Sequence, residues 1–492
     1  MANRFLTKSD IDNLIELIQN IYLEDSIPWV CGYSGGKDST ATVQLVWNAL
    51  MLLAKDGKAN KPVHIISTDT LVESPVVAMW LIESLEKMKK YAQESGLPIQ
   101  VHRLTPAIKN SFWVNLIGRG YPYPKRNLRW CTERLKIEPA NTFVEKMVSS
   151  AGEAILVLGT RKAESASRRN LMNEYEKKRI RDHLNPSGSM PNSYVFAPIQ
   201  DWSNDDVWQY LMTNPNPWHH SNKDLLAMYS GASADGECPL VLDTGTPSCG
   251  NSRFGCWVCT LVEEDKSMAA MIKNDEEKSW MLPLLDFRND IKAPHDQDRN
   301  RRDFRRMNGS IAYHNGLLVH GPYTKETREY FLRKLLEVEL FIHTEGPENI
   351  RNYPLITLEE LEEIRRIWIE EKYEVEDSLP QIYKEVTGQD FQSSSQNKNR
   401  FFSKNDWHLL EKTCNDLYPD ESLLYELQRS LMGIESRYNL LTRRRGISAD
   451  IEKTIRRSFY KNEQDALEHY TKYHDISVEP QNDNIDEEVE TE

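Results

Sequence analysis

A glycine-rich hexapeptide near the N-terminus carries the residue types that bind phosphate groups. It lies between an apolar run that ends at Cys31 and an amphipathic stretch that begins near Val43. The glycines let the backbone approach an anion without Cβ clashes, the following helix offers free N–H groups, and the lysine and serines add a charge and two hydroxyls. The sequence therefore predicts a phosphate-binding loop, with an ordinary glycine-rich turn as the alternative. Its residues are Ser34, Gly35, Gly36, Lys37, Asp38 and Ser39.

The hexapeptide differs from a Walker A loop, because Cys31 and Asp38 occupy the positions that need glycine and serine or threonine. It resembles instead the SGGKDS loop of the ATP pyrophosphatases, a superfamily that includes phosphoadenosine phosphosulfate reductases, the sulfate adenylyltransferase small subunit and tRNA thiolases. The resemblance implies that ATP binds here with Mg²⁺ and is cleaved between its α and β phosphates, with Lys37 and Asp38 as catalytic residues.

Two further segments extend this resemblance. Asp69 follows the second predicted strand, at the edge where open α/β sheets bind ligands, and the superfamily uses this strand end around adenosine; a solvated aspartate is the alternative. Residues 129–136 resemble the Trp-Cys-Thr segment that faces the oxyanion substrate, although a helix start with incidental basic residues is the alternative. Cys131 in this basic segment is the candidate reactive thiolate, because nearby cations lower a thiol pKa.

A third segment, residues 159–168, resembles the superfamily loop G-x-R-x-x-E-S-x-x-R that follows the fourth strand. Arg161 is the catalytic candidate here, because a guanidinium binds two oxygens of the α-phosphate or the leaving pyrophosphate at once. Glu164 and Arg168 are implied to bind the nucleotide. Residues 198–202 and 206–208 match the closing strand and helix of the superfamily, and we expect them to pack rather than to react.

Four cysteines in the middle of the chain have the spacing C-x10-C-x6-C-x2-C. Four thiolates on turn-rich backbone make a closed tetrahedral sulfur site, which accepts structural zinc or an iron-sulfur cluster. The spacing alone does not separate these metals, and four unrelated buried thiols are the remaining alternative. Cys414 has the helical spacing of a core residue. The predicted metal ligands are Cys238, Cys249, Cys256 and Cys259.

The positions of these motifs fit an α/β fold with a doubly wound parallel sheet. Apolar runs at 28–31, 63–66, 99–101 and 154–158 alternate with stretches of helical spacing, as in sheets covered on both faces. We expect an ATP pyrophosphatase domain of adenine nucleotide alpha hydrolase type over 1–225, a cysteine-rich module over 226–310, a helical domain over 311–475 and a disordered acidic tail over 476–492. Thr357 with Glu360 predicts a capping box in the helical domain.

The composition suits a multidomain cytoplasmic protein. The 492 residues are 39% hydrophobic, without an apolar run that could span a bilayer and without an N-terminal leader. The net charge is −14, but the last 17 residues hold seven acids and no base, which leaves −7 for the rest. Acidity is therefore poor evidence against a nucleic acid partner. Basic runs at 177–181, 299–306 and 443–445 are candidates for DNA contact, with solvated helix faces as the alternative.

The loops, the cysteine quartet and the helical extension together resemble the ATP pyrophosphatases of bacterial DNA phosphorothioation. That resemblance implies a 4Fe-4S cluster, a cysteine desulfurase as sulfur donor, companion phosphorothioation proteins and DNA. Two alternatives stay open. A phosphosulfate reductase would act on a small nucleotide, but this chain lacks both the adjacent cysteine pair and the C-terminal catalytic cysteine of those enzymes. A nucleotide-sensing scaffold would hold structural zinc.

Overall fold

The structure is a computed structural model that describes residues 6–179, 181–188, 190–232, 254–314, 317–392, 404–418, 422–439 and 443–474. Cys238, Cys249 and the predicted acidic tail lie outside the described residues. Contacts divide the chain into two compact units. Unit 1 comprises residues 1–107, 130–286 and 345–353, and unit 2 comprises residues 108–129, 287–344 and 354–492.

Unit 1 is built on one sheet, which confirms the predicted α/β class. Within the described residues the strand order is β3-β2-β1-β4-β6-β5, and every neighbouring pair is parallel except β5 with β6. The first four strands coincide with the four apolar runs of the sequence. The strands of this sheet are β1 Trp29–Gly32, β2 Val63–Thr68, β3 Ile99–Leu104, β4 Ala154–Val157, β5 Asn185–Pro186 and β6 Ser193–Phe196.

The helices that follow the strands in unit 1 have the signals expected of them. Helix α2 begins directly after Gly36, and α7 begins with a capping box between Ser203 and Asp206. The helices that begin in unit 1 are α1 Lys8–Leu23, α2 Lys37–Lys55, α3 Pro75–Ser95, α4 Trp130–Thr132, α5 Glu138–Ala151, α6 Ala166–Glu176, α7 Asn204–Thr213, α8 Asn222–Gly231, α9 Lys266–Asn274 and α10 Leu282–Ile291, with a π-helical turn Glu133–Ile137 between α4 and α5.

The core of unit 1 lies between the sheet and these helices. Trp29, Trp47 and Trp218 are fully buried, with Trp47 and Trp218 rings 5.4 Å apart. Cys31 at the end of β1 belongs to this core, and burial raises the pKa of its thiol to about 12. Its side chain therefore packs and does not supply a thiolate beside the phosphate loop.

Unit 2 is mostly helical, and it includes residues 108–129, which the sequence division left with the α/β domain. Trp113 Nε1 donates a hydrogen bond to the Leu355 carbonyl oxygen at 2.7 Å, and Trp368 Nε1 donates to that of Ile117 at 3.0 Å. These two hydrogen bonds join residues 108–129 to the chain on either side of helix α13, Leu358–Arg366. The elements that begin in unit 2 are α11 His295–Asn300, β7 Tyr313–His314, β8 Leu317–Leu318, α12 Lys325–Glu345, α13 Leu358–Arg366, α14 Ser378–Thr387, α15 Lys404–Leu417, α16 Ser422–Asn439, α17 Ile447–Arg457 and α18 Glu463–His474.

Two sequence expectations are met in unit 2. Thr357 and Glu360 form the predicted capping box of α13, and Cys414 is buried within α15. The predicted domain boundaries at 225, 310 and 475 stay predictions. None of the helices in the described part of the chain is long and apolar enough to cross a membrane.

Three arginines of the basic run at 299–306 form ion pairs within unit 2, and contact of the run with DNA stays a prediction. Arg301 pairs with Asp290 at 2.8 Å, Arg302 with Asp298 at 3.2 Å, and Arg305 with Asp303 at 3.0 Å. These guanidinium groups are largely buried, so they hold unit 2 together instead of forming a free cationic surface.

Candidate nucleotide and thiol site

The loop from Ser34 to Ser39 connects β1 to α2 at the carboxyl edge of the sheet. Gly35 has φ +73°, a conformation that favours glycine, and the Ser34 N–H donates to Ser39 Oγ at 3.2 Å. Ser39 Oγ in turn donates to the Gly36 carbonyl oxygen at 3.0 Å. Gly36 is the N-cap residue of α2 and has no side chain that could accept a hydrogen bond. The first-turn N–H groups of the helix therefore receive no side-chain cap from it. The loop is thus formed as an anion site before any ligand binds.

Asp38 of the loop pairs with two cations. Lys37 Nζ lies 3.1 Å from Asp38 Oδ2, and Arg161 Nε donates to Asp38 Oδ1 at 2.7 Å. Arg161 is only 3% exposed, and its Nη1 also donates to the Trp202 carbonyl oxygen at 3.2 Å. The sequence predicted all three charged residues for this site, and the structure brings them together. An incoming phosphate would compete with Asp38 for both cations, and the Asp38 carboxylate is the hard oxygen ligand that Mg²⁺ prefers.

The turn after β4 approaches the phosphate loop so closely that only glycine fits at its start. A Cβ atom at Gly159 would lie 2.7 Å from the Asp38 carbonyl oxygen and 3.0 Å from the Ser39 backbone nitrogen. This contact is what places Arg161 beside Asp38. Glu164 accepts the Arg161 N–H at 2.8 Å and pairs with Arg168 at 2.9 Å, so Glu164 supports the backbone of the turn. Arg168 is exposed and pairs within this turn.

Two aromatic side chains that the sequence did not single out also hold the phosphate loop. Trp80 Nε1 on α3 donates to the Gly35 carbonyl oxygen at 3.2 Å. The Tyr229 hydroxyl on α8 accepts the Lys37 N–H at 3.4 Å, and burial raises the pKa of Tyr229 to about 12, so the hydroxyl stays neutral. Neither residue belongs to a local motif, since 45 and 192 residues separate them from their partners. No signal in a single sequence could have found them.

Asp69 is engaged by neighbouring residues, and its predicted position around adenosine stays a prediction. It is buried at the end of β2, where Arg103 Nε donates to its Oδ2 at 2.8 Å and the Leu71 N–H donates to its Oδ1 at 2.8 Å. Its carboxylate therefore joins β3 to the loop that follows β2. Leu71, with φ +64°, bends that loop back across the sheet edge.

The same β2 loop carries the described half of the cysteine quartet. The Trp257 N–H donates to the Val72 carbonyl oxygen at 3.0 Å, and Glu73 forms a backbone bridge with Cys256. The Cys259 N–H donates to the Cys256 carbonyl oxygen at 3.0 Å, so the pair lies on one tight turn. The cysteine turn, residues 256–259, is therefore docked at the carboxyl edge of the sheet, where the phosphate loop also begins.

Cys131 and Lys136 lie within electrostatic reach of the cysteine turn. The pKa of Lys136 is raised, chiefly through its Coulombic interaction with Cys256 and further through those with Glu73 and Cys259. Lys136 Nζ is 3.8 Å from Glu73 Oε1, and Thr70 Oγ1 lies 3.4 Å from Cys256 Sγ. The sequence did not predict that Cys131 lies near the cysteine quartet in the fold.

The expectation of a low thiol pKa at Cys131 is wrong. Burial, with a contribution from the charge of Cys259, raises the pKa of Cys131 above its ordinary value, and Lys136 offsets this only in part. Burial likewise raises the pKa of Cys256 to about 12. A basic residue close to Cys131 in the sequence does not always place its cation beside the Cys131 sulfur. Arg129 Nε, for example, donates to the Arg126 carbonyl oxygen at 3.1 Å.

The described residues fit the predicted cluster in part. Cys256 and Cys259 supply two thiols from one turn, with Lys136 to offset the negative charge that a metal-bound thiolate set carries. Among the residues that the structure describes, no group of three or more histidine, cysteine or acidic side chains is placed to hold a metal ion. The other two predicted ligands lie outside that part of the chain.

Comparison with known proteins identifies the architecture that these motifs belong to. Residues 28–261 match the phosphoadenosine phosphosulfate reductase domain. This match supports the ATP pyrophosphatase and phosphosulfate reductase superfamily, as the phosphate loop and the turn after β4 had indicated. The matched span includes the phosphate loop, Cys131, Arg161 and the whole cysteine quartet, and it lacks the helical C-terminal region.

Two curated relatives align with part of this chain. The uncharacterized protein MJ0066 of Methanocaldococcus jannaschii is 28% identical over 207 residues, which are 42% of this chain and 36% of the relative. The uncharacterized protein MJ0973 of the same organism is 27% identical over 182 residues, or 37% of this chain and 35% of the relative. The chain thus spans about a third of the length of the curated relatives it matches.

Among solved structures, the U34-tRNA thiolase NcsA from Methanococcus maripaludis with its 4Fe-4S cluster is similar at a TM-score of 0.28 and 13% identity. That similarity covers 44% of this chain and 72% of the thiolase. It is too low to bear on function. The reductase-type domain therefore rests on the family match and on the geometry of the sheet edge.

Proposed function

We propose that this protein is an ATP-dependent sulfurtransferase of DNA phosphorothioate modification, of the kind known as DndC. It adenylates a DNA backbone phosphate with release of pyrophosphate and then replaces a non-bridging oxygen by sulfur. One observation carries the proposal: a phosphate loop with its cations and a docked cysteine turn share the carboxyl edge of one sheet. The edge can thus serve both a phosphoryl activation and a sulfur step.

The activation step uses the charges around Asp38. A non-bridging oxygen of the DNA phosphate attacks the α-phosphorus of ATP, the bond to the bridging oxygen breaks, and pyrophosphate leaves with the electron pair. Lys37, Arg161 and the first N–H groups of α2 stabilise the charge that develops on the phosphate oxygens. Mg²⁺ held by Asp38 would supply further charge neutralisation. Adenylation turns a poor oxygen leaving group into AMP.

The sulfur step uses the thiols at the same edge. A hydrosulfide forms a bond to the activated phosphorus, the bond to the AMP oxygen breaks, and AMP leaves with the electron pair. If Cys131 carries the sulfur as a persulfide, the terminal sulfur attacks, and a second thiol then forms a disulfide with Cys131 and releases the phosphorothioate.

The cluster, the partners and the location follow from the sequence resemblance. Cys238, Cys249, Cys256 and Cys259 would hold a 4Fe-4S cluster, with zinc as the lesser alternative, and the cluster would supply redox or sulfur-handling chemistry beside Cys131. A cysteine desulfurase would donate the sulfur, and DndD and DndE would be the companion proteins. DNA would be the substrate, in the cytoplasm.

The test is pyrophosphate release from ATP by the anaerobically purified protein, measured with and without DNA, in parallel with iron, sulfide and zinc analysis. The proposal expects ATP-dependent pyrophosphate release that DNA stimulates. Sulfite release from a phosphosulfate without ATP would instead identify a small-nucleotide reductase. Nucleotide binding without any turnover, together with one zinc per chain, would identify a sensing scaffold.

A further inference from the structure

A cleft lies wholly within unit 2, in the helical region that follows the residues matched by the family. Its volume is about 440 Å³, and it is formed by residues 309–313 together with the end of α17 and the face of α18. The side chains that define it are five rings and one guanidinium. They are Tyr313, Phe459, Tyr460, His469, Tyr470 and Arg456.

The rings of this aromatic cleft are held in fixed orientations. Tyr313 and Tyr470 stack at 3.7 Å between ring centroids with an interplanar angle of 16°. The Tyr313 hydroxyl donates to the Ala466 carbonyl oxygen at 2.9 Å, and the Tyr460 hydroxyl lies 3.3 Å from His469 Nδ1. Because their polar ends are engaged with the protein, the rings can present their faces to a ligand.

Phe459 is not explained by core packing. Its side chain is 63% exposed at the mouth of the cleft, next to Tyr460 and three residues after Arg456. An exposed phenylalanine beside a cavity loses hydrophobic free energy unless a ligand covers it. Arg456 is exposed as well, and it pairs with Glu452 of the same helix.

The charge around the cleft differs in sign from that of the whole chain. Residues 443–461 contain seven Lys and Arg against two Asp and Glu, whereas the chain as a whole carries −14. Of the acids on neighbouring elements, Asp303 pairs with Arg457, and Glu463 pairs with Arg299 and His320. Asp465 and Glu468 of α18 are the other acids nearby. An anionic ligand is therefore favoured over a cationic one.

We propose that the aromatic cleft binds an unstacked nucleobase of a single-stranded nucleic acid. Aromatic faces beside arginine are the arrangement that stacks bases without reading their sequence. A cleft of about 440 Å³ suits one nucleotide, within the range of small-ligand sites, and it is too small for a duplex. This inference rests on the proposed function in one respect, because DNA is taken as the natural source of the base. The cleft would then hold substrate DNA where one strand is displaced.

The test is fluorescence anisotropy with the full chain and a labelled oligonucleotide of about 12 nucleotides, offered as single-stranded DNA, duplex DNA and single-stranded RNA. Single-stranded binding should weaken about 5- to 150-fold in Phe459→Ala, because stacking on one ring contributes that much per base. Phe459→Leu should weaken it similarly, and Phe459→Trp should retain it. Tyr418→Ala is the matched control, since Tyr418 is 53% exposed but does not line the cleft.

Each result decides the proposal. Loss in both Phe459→Ala and Phe459→Leu, with retention in Phe459→Trp and Tyr418→Ala, supports it. Unchanged binding in Phe459→Ala, a Leu variant as good as wild type, equal affinity for duplex, or no binding of any strand by the wild type overturns it. Pyrophosphate release measured without DNA should stay unchanged in Phe459→Ala, because Phe459 lies outside the phosphate loop, whereas its stimulation by DNA should fall. If single strands bind but DNA neither stimulates turnover nor becomes thiolated, the proposed function is wrong, and the inference about the aromatic cleft still holds.

Discussion

The phosphate loop and the cysteine turn lie at the same edge of one sheet, yet they are assembled in different ways. The loop is closed by charged side chains: Asp38 lies between Lys37 and Arg161 and pairs with both, which leaves one net positive charge for a ligand. The cysteine turn is held by backbone pairing with the β2 loop, and Lys136 lies beside the turn, 3.8 Å from Glu73.

This difference indicates which half of the site is ready before its ligand arrives. The loop needs only an exchange of one anion for another, so ATP binding should not require folding. Burial raises the pKa of the Cys256 thiol of the turn, and a metal bound by the quartet would have to displace its proton. We therefore expect changes in the loop to affect turnover and changes in the turn to affect metal content and stability.

The largest effect is expected in the loop. Lys37→Ala and Asp38→Ala should each lower pyrophosphate release by at least about 100-fold, because each removes a preorganised charge from the reacting phosphates. Circular dichroism should show an intact fold, since neither side chain belongs to the hydrophobic core of unit 1. Lys55→Ala, at the exposed far end of α2, is the control. Wild-type turnover in both loop variants would end the assignment of the loop.

The next effect concerns the turn. Cys256→Ser or Cys259→Ser should remove the brown colour and the iron of anaerobically purified protein and should lower its melting temperature, because loss of one thiolate opens the cluster. Pyrophosphate release should fall far less than in Lys37→Ala. Cys414→Ser, at a buried cysteine of unit 2, should keep the colour. A colourless wild-type protein with one zinc per chain would favour the structural-zinc alternative.

A smaller effect tests the contact that brings Arg161 to the loop. Gly159→Ala should lower pyrophosphate release about 5- to 150-fold, because its Cβ would lie 2.7 Å from the Asp38 carbonyl oxygen and overpacking costs about 1–3 kcal/mol. Gly231→Ala is the control, since its Cβ would meet no atom within 4 Å. Equal turnover in the two variants would show that Arg161 reaches its position without this close contact.

The smallest effect tests a residue that the sequence did not reveal. Trp80→Phe should raise the KM for ATP about 2- to 12-fold, because it removes the hydrogen bond to Gly35, worth about 0.5–1.5 kcal/mol. Trp280→Phe is the control, because the buried Trp280 Nε1 has no hydrogen-bond partner among the described residues. If Trp80→Phe leaves KM unchanged, the indole supports packing and not the loop.

The sequence could predict those parts of the site that are local. Strands β1 to β4 follow from apolar runs, and the phosphate loop and the turn after β4 follow from short motifs whose residues are neighbours in the chain. It could not predict Trp80 or Tyr229, because their contacts to the loop depend on how α3 and α8 pack. The Asp69 pairing with Arg103 depends on strand order in the same way.

The environment of Cys131 shows most clearly what could not be predicted from the sequence. Basic neighbours in the sequence suggested a low thiol pKa, but the pKa depends on burial and on which charges face the sulfur. Here burial dominates, and Lys136 offsets it only in part. The placement of Cys131 near the cysteine turn also joins residues more than a hundred positions apart, which no local pattern encodes.

The central claim is that one sheet edge performs two separable steps, and Cys131→Ser tests it most directly. Pyrophosphate release and phosphorothioate in DNA are measured in the same reaction, with a cysteine desulfurase, cysteine, ATP and DNA. The account predicts that Cys131→Ser releases pyrophosphate at close to the wild-type rate, because phosphate binding rests on the loop and Arg161, yet yields no thiolated DNA. Normal thiolated DNA from this variant would contradict the account and remove Cys131 as the sulfur carrier.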